Sequence, residues 1–214
     1  MRAVEKLLAS KRLLVHLSRD FKPVAMFQSF CLEDIVLADL IYSDLVHNEY
    51  ANIGMFTVDT GRLPDAILRS MDLIRQRYGD ILKVYYPNAA ELEQFDASYG
   101  LRRNDSRRDN EVRLYKPLKR ALNHKNAWIT ASRILNETSH AESRMSWDSQ
   151  HQLLRFNPLT RWTADEIWSY AKHHDLLSAS YHQDSHLRPG LLAEEFGEWN
   201  FPEQNTWEST RNIA

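Results

Sequence analysis

Two short turns carry the side chains best suited to holding an anionic or hydroxylated ligand. The first, Gln28-Ser29-Phe30-Cys31-Leu32-Glu33-Asp34, lies between an apolar run and a segment of helical period. A helix opening there leaves backbone N–H groups free to hold a phosphate, with the Ser29 hydroxyl as a further donor. Glu33 and Asp34 oppose an anion at that place and suit the helix dipole, a cation or a ribose hydroxyl instead. From spacing alone, a phosphate cradle and an ordinary helix cap stand as equal readings. The second turn, Asp59-Thr60-Gly61-Arg62, sets a carboxylate and a hydroxyl directly after another apolar run, in a composition also common among plain turns.

A third feature is basic. Leu101–Arg120 holds eight basic residues (Arg102, Arg103, Arg107, Arg108, Arg113, Lys116, Lys119 and Arg120) against three acidic ones. The planar fork of arginine fits phosphate or sulfate oxygens bidentately, so a small oxyanion is a more economical target than a polymer. Arg102–Arg108 reads equally well as a solvated charged loop; Arg113, beside an apolar segment, is the better anion-site candidate. Cys31 is the sole thiol. A helix N-terminus activates a cysteine, but Phe30, Leu32 and Glu33 oppose or bury a thiolate, which favours a packing role.

These turns need strands to place them. Val24–Phe27 followed by helical period from Leu32, then Ile53–Val58 followed by a helix from about Pro64 to Tyr78, then Ile81–Tyr86, give three strands with two intervening helices. That alternation predicts an α/β fold with a mostly parallel sheet and helices on both faces. In such a sheet the turns after the strands form the ligand crevice. Met1–Asp20 reads as an amphipathic packing helix, Pro64 as a first-turn residue, and Ala90–Gly100 as a further helix. Ala127–Thr130 and Leu153–Phe156 are the remaining strands. Thr163-Ala164-Asp165-Glu166 opens a last helix through a capping box, with Ile167, Tyr170 and Ala171 inward. Residues 1–177 are expected to form one domain, with 178–214 an irregular acidic and aromatic tail folded back on it through Trp199, Phe201 and Trp207.

Composition removes several function classes. The 214 residues carry 27 basic and 29 acidic side chains, a formal charge of -2, which gives no global field for nucleic acid or an anionic membrane. No apolar run approaches a membrane span, and Met1–Asp20 lacks an export signal, so a cytoplasmic protein is expected. One cysteine cannot supply a zinc ribbon, an internal disulfide or an iron–sulfur cluster. The nine histidines show no metal-ligand spacing, and His173-His174 reads as surface. Gly54 and Gly61 match neither a Rossmann nor a Walker A loop.

Taken in order, the motifs over Phe21–Leu177 resemble the sulfonucleotide reductases, the phosphoadenylyl-sulfate and adenylyl-sulfate reductases of sulfate assimilation. Ser29-Phe30-Cys31-Leu32-Glu33-Asp34 is similar to the family's Ser-Phe-Gly-Ala-Glu-Asp nucleotide loop, with Cys31 at the glycine. Val58-Asp59-Thr60-Gly61 resembles its Leu-Asp-Thr-Gly turn, which contacts adenosine. Lys116-Pro117-Leu118-Lys119-Arg120-Ala121-Leu122 resembles Glu-Pro-Leu-x-Arg-Ala-Leu, and Arg113 an arginine of the preceding substrate-binding stretch. Ala127-Trp128-Ile129-Thr130 with Arg133 resembles Trp-Ile-Thr-Gly-x-Arg-Arg, with Ala131 at the glycine. Asn157-Pro158-Leu159 with Trp162-Thr163 completes the series. The resemblance implies an adenine nucleotide α-hydrolase-like fold and a substrate-binding set of Ser29, Phe30, Asp59, Thr60, Gly61, Arg113 and Arg133.

The family's chemistry carries over less fully. Its members attack the substrate sulfur with a C-terminal Glu-Cys-Gly-Leu-His cysteine, and thioredoxin or glutaredoxin then releases sulfite. No segment here matches that motif, nor the Cys-Cys and Cys-x-x-Cys cluster of the adenylyl-sulfate branch. Ile134 stands at the second arginine of the strand-end motif, and Glu137 brings negative charge where sulfate is expected. The sequence therefore predicts a degenerate reductase-like protein that binds an adenine nucleotide, holds no iron–sulfur cluster and has no catalytic residue of its own. Another sulfate-assimilation protein or a second copy is the expected partner. The alternatives are an active thioredoxin-dependent reductase using a cysteine from another chain or a missing tail, and an ATP-dependent ligase. The usual Ser-Gly-Gly-x-Asp-Ser loop of such ligases is absent.

Overall fold

A computed structural model describes residues 3–43, 52–99, 106–132 and 144–176. The apolar runs become six strands: β1 (Val24–Phe27), β2 (Ile53–Val58), β3 (Leu82–Tyr85), β4 (Ala127–Ile129), β5 (Met145–Asp148) and β6 (Leu153–Phe156). They form one sheet in the order β3-β2-β1-β4-β6-β5. All neighbours are parallel except β5 against β6. The chain leaves β1 toward β2 and β3, then crosses back to β4 on the other side of β1. The order therefore reverses between β1 and β4, and their carboxyl ends frame the crevice in which open α/β sheets seat ligands.

Strand alternation sends the two faces to different helix layers. Val24, Met26, Ile53, Met55, Ala127 and Ile129 pack under α1 (Ala3–Asp20), α2 (Leu32–Tyr42), α3 (Asp65–Tyr78) and α7 (Ala164–His173). Ala25, Phe27, Phe56, Val58 and Trp128 face Leu114, Leu118, Ala121 and Leu122 on the opposite side. α4 (Ala89–Tyr99) follows β3. The helices on both faces and the mostly parallel sheet are as the sequence predicts.

Some local expectations need correction. Arg102 and Arg103, where a charged loop is one reading, lie outside the described residues; from Ser106 the stretch is helical, α5 (Ser106–Asn110), a π-helical turn (Glu111–Tyr115) and α6 (Lys116–Leu122) running on continuously. Leu114, Leu118 and Leu122 give this segment an apolar stripe at helical spacing, which the density of charge conceals. Pro64 caps α3 from outside in an extended conformation rather than lying in its first turn. His173 is exposed, but His174 stacks on Tyr170 with 4.0 Å between ring centroids. Strand β5 is unanticipated; it is an edge strand whose Met145 and Trp147 face solvent. The capping box of α7 forms in both halves, Glu166 N to Thr163 Oγ1 and Thr163 N to Glu166 Oε2. The tail expected over 178–214 lies outside the described residues.

Candidate functional site

The crevice is built from the residues that follow β1, β2 and β4. The register sets Phe27 beside Phe56, and Gln28 N continues the ladder to Phe56 O at 2.9 Å. The Ser29 and Asp59 turns therefore leave adjacent strands on one edge of the sheet. Thr130 leaves β4 on the other side of β1, its N–H donating to Phe156 O at 3.0 Å and its hydroxyl to Asn157 Oδ1.

The turn after β1 is closed by its own acid. Asp34, in the first turn of α2, accepts Ser29 N at 2.8 Å through Oδ2, and the same oxygen takes the Ser29 hydroxyl. Cys31 is the helix N-cap and gives no side-chain cap. Asp34, the third residue of the helix, reaches back past it to the Ser29 N–H and hydroxyl and ties the turn to the helix, as the acid half of a capping box does. Burial pushes the Asp34 carboxyl up to about 6, against the hydrogen bonds from Ser29 and Cys31 that favour its ionised form. Phe30 is buried at φ 67, a left-handed conformation that side chains with a Cβ seldom adopt. Cys31 is half-buried; desolvation, then the Asp34 and Glu33 carboxylates, push its thiol well above its ordinary range. The dipole of α2 does not yield an activated thiolate there.

The turn after β2 is held from two sides. Asp59 Oδ1 accepts Gly61 N at 2.8 Å, and Thr60 Oγ1 accepts Arg62 N at 3.3 Å. Gly61 has φ +75, which explains a glycine at this position. Arg113 is 7 % exposed and lies beneath the turn. It donates from Nη1 to Thr60 O at 3.2 Å, from Nε to Asp109 Oδ1 at 2.9 Å and from Nη2 to Asp96 Oδ1 at 3.3 Å. Asp109 also pairs with Arg62. Arg113 is thus the knot joining the Asp59–Arg62 turn to α4 and α5, its charge met by two carboxylates.

The structure brings Ser29, Phe30, Asp59, Thr60, Gly61 and Arg113 to one edge of the sheet; Arg133 lies outside the described residues. Sequence reasoning did not single out Gln28, which is wholly buried. It also named Asp34 without its role as the lock on Ser29, and passed over Asp96 and Asp109. Asp109, four residues before Arg113, was available as an i,i+4 ion-pair signal. Among the described residues no group of three or more His, Cys, Asp or Glu side chains is placed to hold a metal ion. No helix among them is long and apolar enough to cross a membrane.

The fold is adenine nucleotide α-hydrolase-like. It aligns with phosphoadenylyl-sulfate reductase from Candida auris at a TM-score of 0.66 and 18 % identity, covering 78 % of this chain and 80 % of that one. It also aligns with an NH3-dependent NAD synthetase from Campylobacter jejuni at a TM-score of 0.53 and 14 % identity, covering 83 % and 75 %. The phosphoadenosine phosphosulfate reductase domain matches residues 23–188, and the chain belongs to that family. It is 31 % identical over 175 residues to the adenosine 5'-phosphosulfate reductase of Allochromatium vinosum. The match covers 78 % of this chain but only 65 % of that relative's length.

Proposed function

We propose that this chain is a degenerate member of the family, a cytoplasmic protein that binds an adenine nucleotide at the Ser29 and Asp59 turns and does not reduce it alone. The observation that carries this reading is the state of Cys31. It is the sole thiol of the chain, and it lies half-buried at the Ser29 turn beside the Glu33 and Asp34 carboxylates, which disfavour the thiolate that would have to attack sulfur. The nucleotide side rests on family membership and on the two turns meeting at the crevice. In this reading the pocket consists of Ser29, Phe30, Asp59, Thr60, Gly61, Arg113 and Arg133, and the ligand is of the adenosine phosphosulfate type. The chain carries no iron–sulfur cluster and acts as a subunit or regulator beside another sulfate-assimilation protein or a second copy.

A second reading is an active, thioredoxin-dependent reductase whose nucleophile comes from another chain or from sequence beyond residue 214. It is favoured by the 65 % coverage of the Allochromatium relative. Calorimetry of the purified chain against adenylyl sulfate, phosphoadenylyl sulfate, AMP, adenosine 3',5'-bisphosphate and ATP tests the binding half. Saturable heat with at least one of them is the expected result, and no heat with any would reject it.

A further inference from the structure

We propose that the side-chain amide of Gln28 is a specificity-determining donor for the nucleoside part of the ligand, giving its Nε2 hydrogens to an uncharged acceptor, a ring nitrogen or sugar oxygen. This rests on the nucleotide-binding reading above and names which part of the ligand meets β1. Gln28 is the first residue beyond β1, at the strand-order reversal. Alternation puts its side chain on the Val24 and Met26 face of the sheet. It is wholly buried, and its Oε1 accepts Phe30 N at 3.3 Å. That contact fixes which end of the amide is oxygen. Nε2 is left without a partner among the described residues.

A buried amide N–H2 with no acceptor is unfavourable, and native proteins reserve such groups for a water, an ion or a ligand. Charge then narrows the class of acceptor. The donors that would serve a phosphate at this turn, Ser29 N and Oγ, are already taken by Asp34. The Asp34 carboxylate and that of Glu33 flank the turn, so a phosphate or sulfate group seated here would meet repulsion in a poorly hydrated place. A neutral acceptor meets none. Access requires the Ser29–Cys31 turn to shift, and Phe30 holds that turn in its disfavoured left-handed state.

The test is calorimetry of the full chain with adenosine, AMP and pyrophosphate, for the wild type and for Gln28→Met, which keeps the length and removes the donor. Adenosine and AMP should both bind three- to tenfold more weakly, roughly the worth of one neutral hydrogen bond. Pyrophosphate affinity should not change. Gln28→Leu also removes the donor and should weaken adenosine to the same extent; it decides the matter should Gln28→Met not fold. Unchanged adenosine affinity in a folded variant that lacks the donor overturns this inference and leaves the nucleotide-binding reading intact. Weakening confined to AMP and pyrophosphate overturns it by putting phosphate at Gln28. Failure of the wild type to bind adenosine or AMP while adenylyl sulfate, phosphoadenylyl sulfate or ATP binds also overturns this inference; failure to bind any of these nucleotides overturns the binding reading itself.

Discussion

Ser29 gives both its backbone N–H and its hydroxyl to one carboxylate oxygen of Asp34, the amide at 2.8 Å. The turn most suited to ligand binding is thereby tied to the first turn of α2, and its shape depends on the charge of one buried acid. Protonation of Asp34 in the folded chain occurs at about 6, above the ordinary aspartate value. The sign follows directly: the stability associated with a neutral Asp34 is fully present below the unfolded value near pH 4 and is lost as pH rises through about 6.

Asp34→Asn should remove that dependence. Denaturant unfolding of wild type and variant between pH 4 and 8 should show the wild type losing about 3 kcal/mol relative to the variant as pH rises. Parallel stability curves would show that Asp34 ionises in the folded chain as it does in the unfolded one.

Arg113→Ala should act first on the fold. It removes the fork beneath the Asp59–Arg62 turn, takes the Arg113 ion pair from Asp96 and leaves Asp109 with Arg62. A loss of about 2–4 kcal/mol in unfolding free energy is expected, since breaking a mostly buried ion pair strands its partner. Arg113→Lys should recover only part of it, because an ammonium cannot reproduce the fork. Unaltered stability in Arg113→Ala would show that the turn is held by other contacts.

Asp39 is a second buried acid, on the α2 and α7 side of the sheet. Its Oδ1 accepts the Tyr78 hydroxyl at 2.8 Å and its Oδ2 the Tyr170 hydroxyl at 3.0 Å, joining α2, α3 and α7. Burial, reinforced by the Asp39 charge, pushes both tyrosines above their ordinary values. Asp39→Ala orphans both hydroxyls and should cost about 3 kcal/mol or more by chemical denaturation. The triple variant Asp39→Ala, Tyr78→Phe, Tyr170→Phe should be less damaged than Asp39→Ala alone, since the orphaned hydroxyls go with their partner.

The interior strands were legible because each is a short apolar run, as parallel strands covered on both faces must be. β5 was not, because Met145 and Trp147 point to solvent from an edge and only Asp148 is buried. The helical character of 106–122 was hidden by arginines and lysines on its outer side, while Leu114, Leu118 and Leu122 carry its packing. The two site turns were visible as motifs, but the partners that fix them were not. Arg113 finds Asp96 across 17 residues and Thr60 across 53, contacts that no local pattern encodes. The complete burial of Gln28, a polar residue just beyond a strand, is likewise a tertiary feature that no local pattern encodes.

The environment of Cys31 makes a chemical prediction. A thiol-specific disulfide reagent at pH 8 should react at least about tenfold more slowly with the folded chain than with the chain in denaturant, because burial and two carboxylates suppress the thiolate. Metal analysis of anaerobically purified protein should find no stoichiometric iron, one cysteine being too few thiolates for a cluster. Fast labelling of the folded chain, or iron with sulfide in whole-number ratio, would contradict these expectations.

The central claim is that this chain holds a nucleotide of the sulfonucleotide type but cannot by itself reduce it. Sulfite release, measured with purified chain, adenylyl sulfate or phosphoadenylyl sulfate, and reduced thioredoxin across pH 6 to about 10, a span that covers the ordinary cysteine range, tests it most directly. The account predicts sulfite at the level without protein, for wild type and Cys31→Ser alike. Sulfite production that requires the chain and disappears in Cys31→Ser, with a thiosulfonate trapped on Cys31, would contradict it.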